Sequence, residues 1–124
     1  MADTSLSESK IGLLVWQTSN YWQSKLRRVL RGYDLTLNEY LILESIYKLQ
    51  KHGNELSQNS ISIYAGIDIS VSSVTFKLLE NKKLIVRMTK KDNRKKIVEM
   101  LVNGKNLYNK INPLILDEEK KIFN

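Results

Sequence analysis

Residues 57–101 read SQNSISIYAGIDISVSSVTFKLLENKKLIVRMTKKDNRKKIVEML, and the order of signals inside this stretch decides the fold. Ser57 is a capping residue ahead of a short helical run through Ala65. Gly66 breaks that run, and Ser70 opens another helix that continues to about Lys82. Two short helices separated by a glycine turn predict a helix-turn-helix. On the second of them the apolar spacing assigns Ile67, Val71, Val74 and Leu78 to the core side. Ser70, Ser72, Ser73 and Lys77 then fall on or near the exposed side, where small hydroxyls and a lysine suit close approach to phosphates and base edges. Phe76 projects away from the core in this register and is left unexplained by it.

Beyond the helices, Leu84–Thr89 and Lys95–Leu101 are rich in β-formers and flank Lys90-Lys91-Asp92-Asn93-Arg94, whose Asp-Asn suits a turn. A basic-tipped hairpin is expected. From Lys77 to Lys96 nine cations (Lys77, Lys82, Lys83, Arg87, Lys90, Lys91, Arg94, Lys95 and Lys96) stand against Glu80 and Asp92. This local excess equals the +7 of the entire chain. Such clustering attracts a polyanion, whereas a face built only for solubility usually mixes its signs; a merely solvated hairpin is the alternative.

Upstream, residues 5–31 read as one long helix, because Ile11, Val15, Thr18, Trp22, Leu26, Val29 and Tyr33 recur every three or four positions and Leu14, Tyr21 and Leu30 widen the stripe. That breadth fits either burial within the fold or packing against a second subunit. Gly32 ends the helix. Thr36-Leu37-Asn38-Glu39 has the spacing of a capping box, and a helix running to about Lys51 follows it. Its run Tyr40-Leu41-Ile42-Leu43 is apolar on nearly every side, as expected of a central helix. Downstream, Gly104 begins a last helical stretch in which Asn112-Pro113 reads as a restart with proline at the first helical position. Leu114, Ile115, Ile122 and Phe123 give it an apolar face.

Composition narrows the function classes. With 124 residues, 42% hydrophobic and 27% charged, the chain fits one globular domain, 1–124. No apolar run approaches the roughly 18 residues of a membrane helix, and the N-terminus lacks signal-peptide order, so a cytoplasmic protein without a membrane partner is expected. There are no cysteines, and the one histidine, His52, precedes Gly53 and reads as a solvated helix end. Enzymes built on His or Cys chemistry therefore have almost nothing to work with; no catalytic residue, metal or cofactor is expected. Asp117-Glu118-Glu119 lies early in a helix, where its charge suits the dipole.

The element order (helix, helix, short helix, turn, helix, two-stranded hairpin, helix) is that of a winged helix-turn-helix, a mainly α (α+β) fold with a β-hairpin wing and flanking N- and C-terminal helices. At this level the sequence resembles the MarR family of transcriptional regulators. The resemblance rests on Leu35–Tyr40 at the opening of the second helix, Leu79–Arg87 from recognition helix to wing, the Asp-x-Arg pattern of Asp92-Asn93-Arg94, and the place of Gly104. It covers roughly residues 11–110.

The resemblance implies a homodimer that binds double-stranded DNA at a pseudo-palindromic operator, often as a repressor and often released by a small aromatic or anionic effector. It implies that Arg94 enters the minor groove while Asp92 orients the wing; a plain turn role for Asp92 is the alternative. The expected DNA-binding lobe is 36–101, with Ser70, Ser72, Ser73, Lys77, Lys90, Lys91, Asp92, Arg94 and Lys95 on DNA. Residues 5–31 and 104–124 are the expected dimerisation helices, using Leu14, Trp16, Tyr21, Leu114, Ile115 and Phe123. By the same analogy an effector pocket is placed near Trp16, Trp22 and Tyr40.

Three departures stand out. Leu101 occupies the place of a usual capping Thr, Lys83 that of a common Gly, and the sequence stops at Asn124, shorter than most members. The last leaves a dimer through the first helix, a monomer or a heterodimer open. A replication-initiator winged helix, or one used for protein contact through Trp16, Tyr21 and Trp22, are the alternative functions.

Overall fold

The computed structural model describes residues 11–53, 55–89 and 95–123. Along the chain they form α1 (Ile11–Arg31), α2 (Leu37–Gln50), α3 (Gln58–Ala65), α4 (Ile69–Asn81), β1 (Ile85–Thr89), β2 (Lys96–Met100) and α5 (Val102–Phe123). The two strands pair antiparallel, from Ile85 opposite Met100 to Thr89 opposite Lys96.

Hydroxyl caps set where α2 and α3 begin. The Thr36 Oγ1 accepts the Glu39 amide at 3.1 Å, and the Glu39 Oε1 accepts the Thr36 amide at 2.9 Å, so the expected capping box is formed. Ser57 caps α3 by accepting the Ser60 amide at 3.1 Å. Gly66 closes α3 in the left-handed conformation, φ 72°, which glycine adopts without the steric penalty of a Cβ.

As its apolar run predicts, α2 is central. It packs against α1, α3, α4, α5 and β2 and buries Leu37, Tyr40, Ile42, Leu43 and Ile46. The Tyr40 ring stacks on Tyr108 of α5 at 5.8 Å, and its hydroxyl lies 3.2 Å from Asn112 Oδ1, to which it donates. Burial holds both phenols in the neutral form: it pushes Tyr108 up to about 12 and Tyr40 higher still, with the Glu44 carboxylate acting in the same direction.

The outer helices α1 and α5 pack on each other, yet α1 buries fully only Leu26 and Leu30, both in its second half. Trp22 adds a tie by donating from Nε1 to Glu119 Oε2 at 2.9 Å. In α5, Gly104, Tyr108, Ile111 and Ile115 recur at helical spacing on the buried side.

Two sequence expectations change in α5. The helix starts at Val102 rather than Gly104, and Asn112-Pro113 marks no restart: Pro113 lies inside one continuous helix. Proline removes the hydrogen bond to the Asn109 carbonyl, and both residues are exposed, so water can satisfy the group left over. Gly104 sits in the first turn because a Cβ there would stand 2.2 Å from the Leu84 carbonyl oxygen. The Leu84 oxygen also accepts the Leu101 amide at 3.0 Å, which joins the start of α5 to the exit from α4. Lys83, in that exit, has φ 60°, a left-handed residue where glycine carries no strain. Among the described residues no single helix is long and apolar enough to cross a membrane.

Chemical denaturation tests the α5 junction. Gly104→Ala is expected to destabilise by more than about 2 kcal/mol, because backbone must shift to admit the methyl group. Leu101→Thr, which supplies a side-chain cap where the Lys105 amide already bonds the Leu101 carbonyl, is expected to stabilise by about 1 kcal/mol. A neutral Gly104→Ala would contradict the close approach.

Candidate nucleic-acid interface

The axes of α3 and α4 bend by 113° across the Gly66 turn, within the range of a helix-turn-helix. What holds that angle is polar. The Ser62 and Ser72 hydroxyls meet at 2.6 Å in the buried crossing; one donates to the other, and the accepting hydroxyl gives its own proton to a carbonyl of its helix, Gln58 for Ser62 or Ile69 for Ser72. A short hydroxyl pair lets two helices approach closely while leaving no buried polar group unsatisfied.

This contact corrects the sequence-based register of α4. Ser72 is 0% exposed and is no candidate for DNA contact. The buried side is Ser72, Thr75, Phe76 and Leu79, while Val71, Val74 and Leu78, assigned to the core from their spacing, are exposed. Phe76, unexplained before, is a central core residue. Ser70, Ser73 and Lys77 lie on the exposed side as expected. The Ser70 hydroxyl donates to the Asp68 carboxylate at the start of the helix, and Asp68 makes no side-chain cap of its own.

Two ion pairs set α4 and the wing in place. At the end of α4 the Lys82 Nζ reaches the Glu39 carboxylate, 2.9 Å from Oε2, and donates to the Asp34 carbonyl at 2.5 Å. Glu39 is 1% exposed, so this is a buried charge met by a cation and by its capping amide. From β1, Arg87 reaches Glu80 of α4 at 2.8 Å and Gln58 of α3 at 3.1 Å, clamping the hairpin to both helices of the motif. The guanidinium beside Glu80 holds its carboxyl below the usual range. Lys82 and Arg87, counted with the basic run in the sequence, therefore act inside the fold.

The remaining described cations of that run, Lys77, Lys83, Lys95 and Lys96, are exposed. Lys95 and Lys96 share a groove of about 580 Å³ with Ser57, Gln58, Asn59, Ser60 and Ile63 at the start of α3. Lys90, Lys91, Asp92 and Arg94 lie outside the described residues. The sequence reading did not find the α3 edge of this groove; its signal, the hydroxyl and amide side chains following the Ser57 cap, is common to many helix starts.

Away from this surface, the first half of α1 exposes Leu14, Trp16 and Tyr21, and α5 exposes Leu114 and Phe123. Ile115, grouped with them as a dimer contact, is instead buried in its own protomer's core, on the α5 side that carries Tyr108 and Ile111. An apolar groove of about 500 Å³ runs between Ile11, Leu14, Val15, Thr18, Ser19, Trp22 and Phe123. Its lining contains Trp22 but neither Trp16 nor Tyr40: Trp16 is 65% exposed, and Tyr40 belongs to the core, which corrects the expected clustering of the three.

Comparison with solved structures settles the architecture. A MarR-family transcriptional regulator from Rhodococcus sp. RHA1 superposes with a TM-score of 0.83 at 18% identity, covering 94% of this chain and 81% of that one. MepR of Staphylococcus aureus in its DNA-binding conformation gives 0.79 at 24% identity over 90% and 80%, and a MarR-family regulator from Silicibacter pomeroyi gives 0.78 at 17% over 100% and 82%. The fold is that of the MarR regulators. In sequence the chain is 26% identical over 87 residues to the uncharacterized HTH-type transcriptional regulator YdcH of Bacillus subtilis (strain 168), a match spanning 70% of this chain and 59% of that protein. No family model matches. Within the MarR fold, α3–α4 is the helix-turn-helix and β1–β2 the wing.

The register of α4 is testable by stability alone. Ser72→Ala is expected to cost about 1 kcal/mol through the lost Ser62–Ser72 hydrogen bond, and Ser73→Ala less than about 0.5 kcal/mol; the reverse order would contradict the crossing. The Arg87–Glu80 pair should act on acid stability. Because Glu80 is depressed from 4.5 in the folded state, its contribution is complete above that pH and is lost as pH falls through the lowered value. Glu80→Gln should remove this part of the acid limb of a thermal-stability profile and leave the neutral limb's slope unchanged.

Proposed function

We propose that this chain is a sequence-specific, double-stranded DNA-binding transcription regulator of the MarR type, acting as a repressor and as a homodimer. The observation that carries the proposal is the outward face of α4. There Ser70, Ser73 and Lys77 stand on a helix held at the helix-turn-helix angle by the Ser62–Ser72 contact and clamped to a basic wing by Arg87. A helix so presented fits the major groove, and the hairpin beside it reaches the backbone. Residues 36–101 form the DNA-binding lobe in this reading. Lys95, with Lys90, Lys91 and Arg94 of the wing, supplies phosphate and minor-groove contacts oriented by Asp92. The likeness to MepR in a DNA-binding conformation and to an HTH-type regulator supports it. A cytoplasmic location follows from the role.

Dimerisation is assigned to α1 and α5. Leu14, Trp16, Tyr21, Leu114 and Phe123 are exposed there, and Leu14 and Phe123 line the apolar groove beside Trp22. Covering that surface with a second copy would place two recognition helices on one duplex, as a pseudo-palindromic site requires. A small aromatic effector fits the same apolar groove, where it would act on the distance between the lobes.

Titration onto a labelled upstream fragment and a scrambled control, at two salt concentrations with mass measured in the same buffer, tests the reading. Sequence-dependent binding by two protomers per site is the expected result. Lys90→Ala and Lys91→Ala should each reduce the salt slope by about one, and Arg94→Ala should weaken binding. Leu14→Glu should give a monomer that keeps its fold and loses operator affinity. Equal affinity for both fragments, or unchanged slopes in all wing variants, would contradict it.

A further inference from the structure

The outward face of α4 is apolar at its centre. Val74 is 61% exposed, with Ser70 one turn before it, Lys77 one turn after it and Ser73 beside it; Val71 and Leu78, at 46% and 41%, line the flank toward Thr36 and Asn38 of the α2 start. In the same helix the hydroxyl residues Ser72 and Thr75 are buried. A helix folding only for stability would place these sets the other way round, so the arrangement points to a ligand that contacts aliphatic carbon.

The only cation in α4 is Lys77, and its acid, Glu80, is bound to Arg87. The helix therefore has one side chain able to take a guanine edge by a charged donor, and no Asn or Gln within Ser70–Lys77 to take an adenine edge. What an exposed valine recognises in the major groove is the C5-methyl of thymine, the one apolar feature any base pair presents there. The surrounding charge argues for DNA over an apolar protein partner: the chain carries +7, and Lys77 and Lys83 stand on α4 and its exit.

Resting on the regulator reading above, we propose that Val74 is a specificity-determining residue that reads a thymine methyl group in each operator half-site. Removing one buried methyl-sized group corresponds to about a three- to fivefold loss in affinity, large enough to discriminate thymine from cytosine when joined to hydrogen bonds from neighbouring hydroxyls.

Duplexes selected from a randomised library by the full chain are remade with deoxyuridine replacing each thymidine in turn, a change that deletes only the methyl group. One or two positions per half-site should weaken binding by about three- to fivefold. In Val74→Ala, which changes an exposed side chain and should retain the wild-type Tm, the thymine and uracil duplexes should bind alike at those positions. Indifference of the wild type to every uracil replacement would overturn the inference while leaving salt-dependent, sequence-selective binding intact. So would a methyl effect that survives in Val74→Ala. Failure to select any sequence would overturn the regulator reading and this inference with it.

Discussion

The buried carboxylate of Glu39 is the joint on which the geometry of the helix-turn-helix and its wing depends. One oxygen caps the start of α2, and the same carboxylate receives Lys82 from the end of α4, forty-three residues away. Removing Lys82 would leave the Glu39 carboxylate, 1% exposed, as an uncompensated charge in the core, a loss of the order of 3–5 kcal/mol, so the start of α2 and the end of α4 are held as one unit. From that joint the structure propagates in two directions. Leu84 and Gly104 set α5 against the α4 exit, and Arg87 folds the wing back onto α3 and α4.

Polar contacts at the crossings, more than apolar area, determine how the parts are oriented. The apolar core around Tyr40, Leu43, Phe76 and Ile111 supplies most of the folding free energy, but it is tolerant of direction. The Ser62–Ser72 pair, the Glu39–Lys82 bridge and the Arg87 clamp are not, because each loses its energy within a few tenths of an ångström or a modest rotation. A DNA reader needs that kind of rigidity, since base edges are distinguished by donors and methyl groups only a few ångströms apart. The first half of α1, by contrast, has no such ties among the described contacts and presents carbon to solvent.

Features decided within a few residues were legible in the sequence. The Thr36–Glu39 box, the Ser57 cap and the Gly66 stop were each read correctly, and with them the element order and the fold. The apolar run of α2 announced its central place. The register of α4 was not legible, because Val71, Val74 and Leu78 have the spacing of a core stripe; only the position of Ser62 on the neighbouring helix shows that Ser72 is the inward residue. The sequence rule failed at the face assigned here to recognition, where stability and function make opposite demands. Pro113 misled for a related reason, since an exposed proline can sit within a helix when the carbonyl it leaves unbonded faces water. The internal roles of Lys82 and Arg87 required knowing the acids they meet, which the local charge count could not provide.

The most direct test of the account is amide chemical-shift mapping of the labelled protein while a selected operator duplex is added. Perturbations should centre on Ser70, Ser73, Val74 and Lys77 of α4 and on Lys95 and Lys96 of the wing, with little change at Leu13–Trp16 of α1 when the protein is already dimeric. A map centred on the first half of α1, with α4 silent, would contradict the assignment of α4 as the DNA-reading helix.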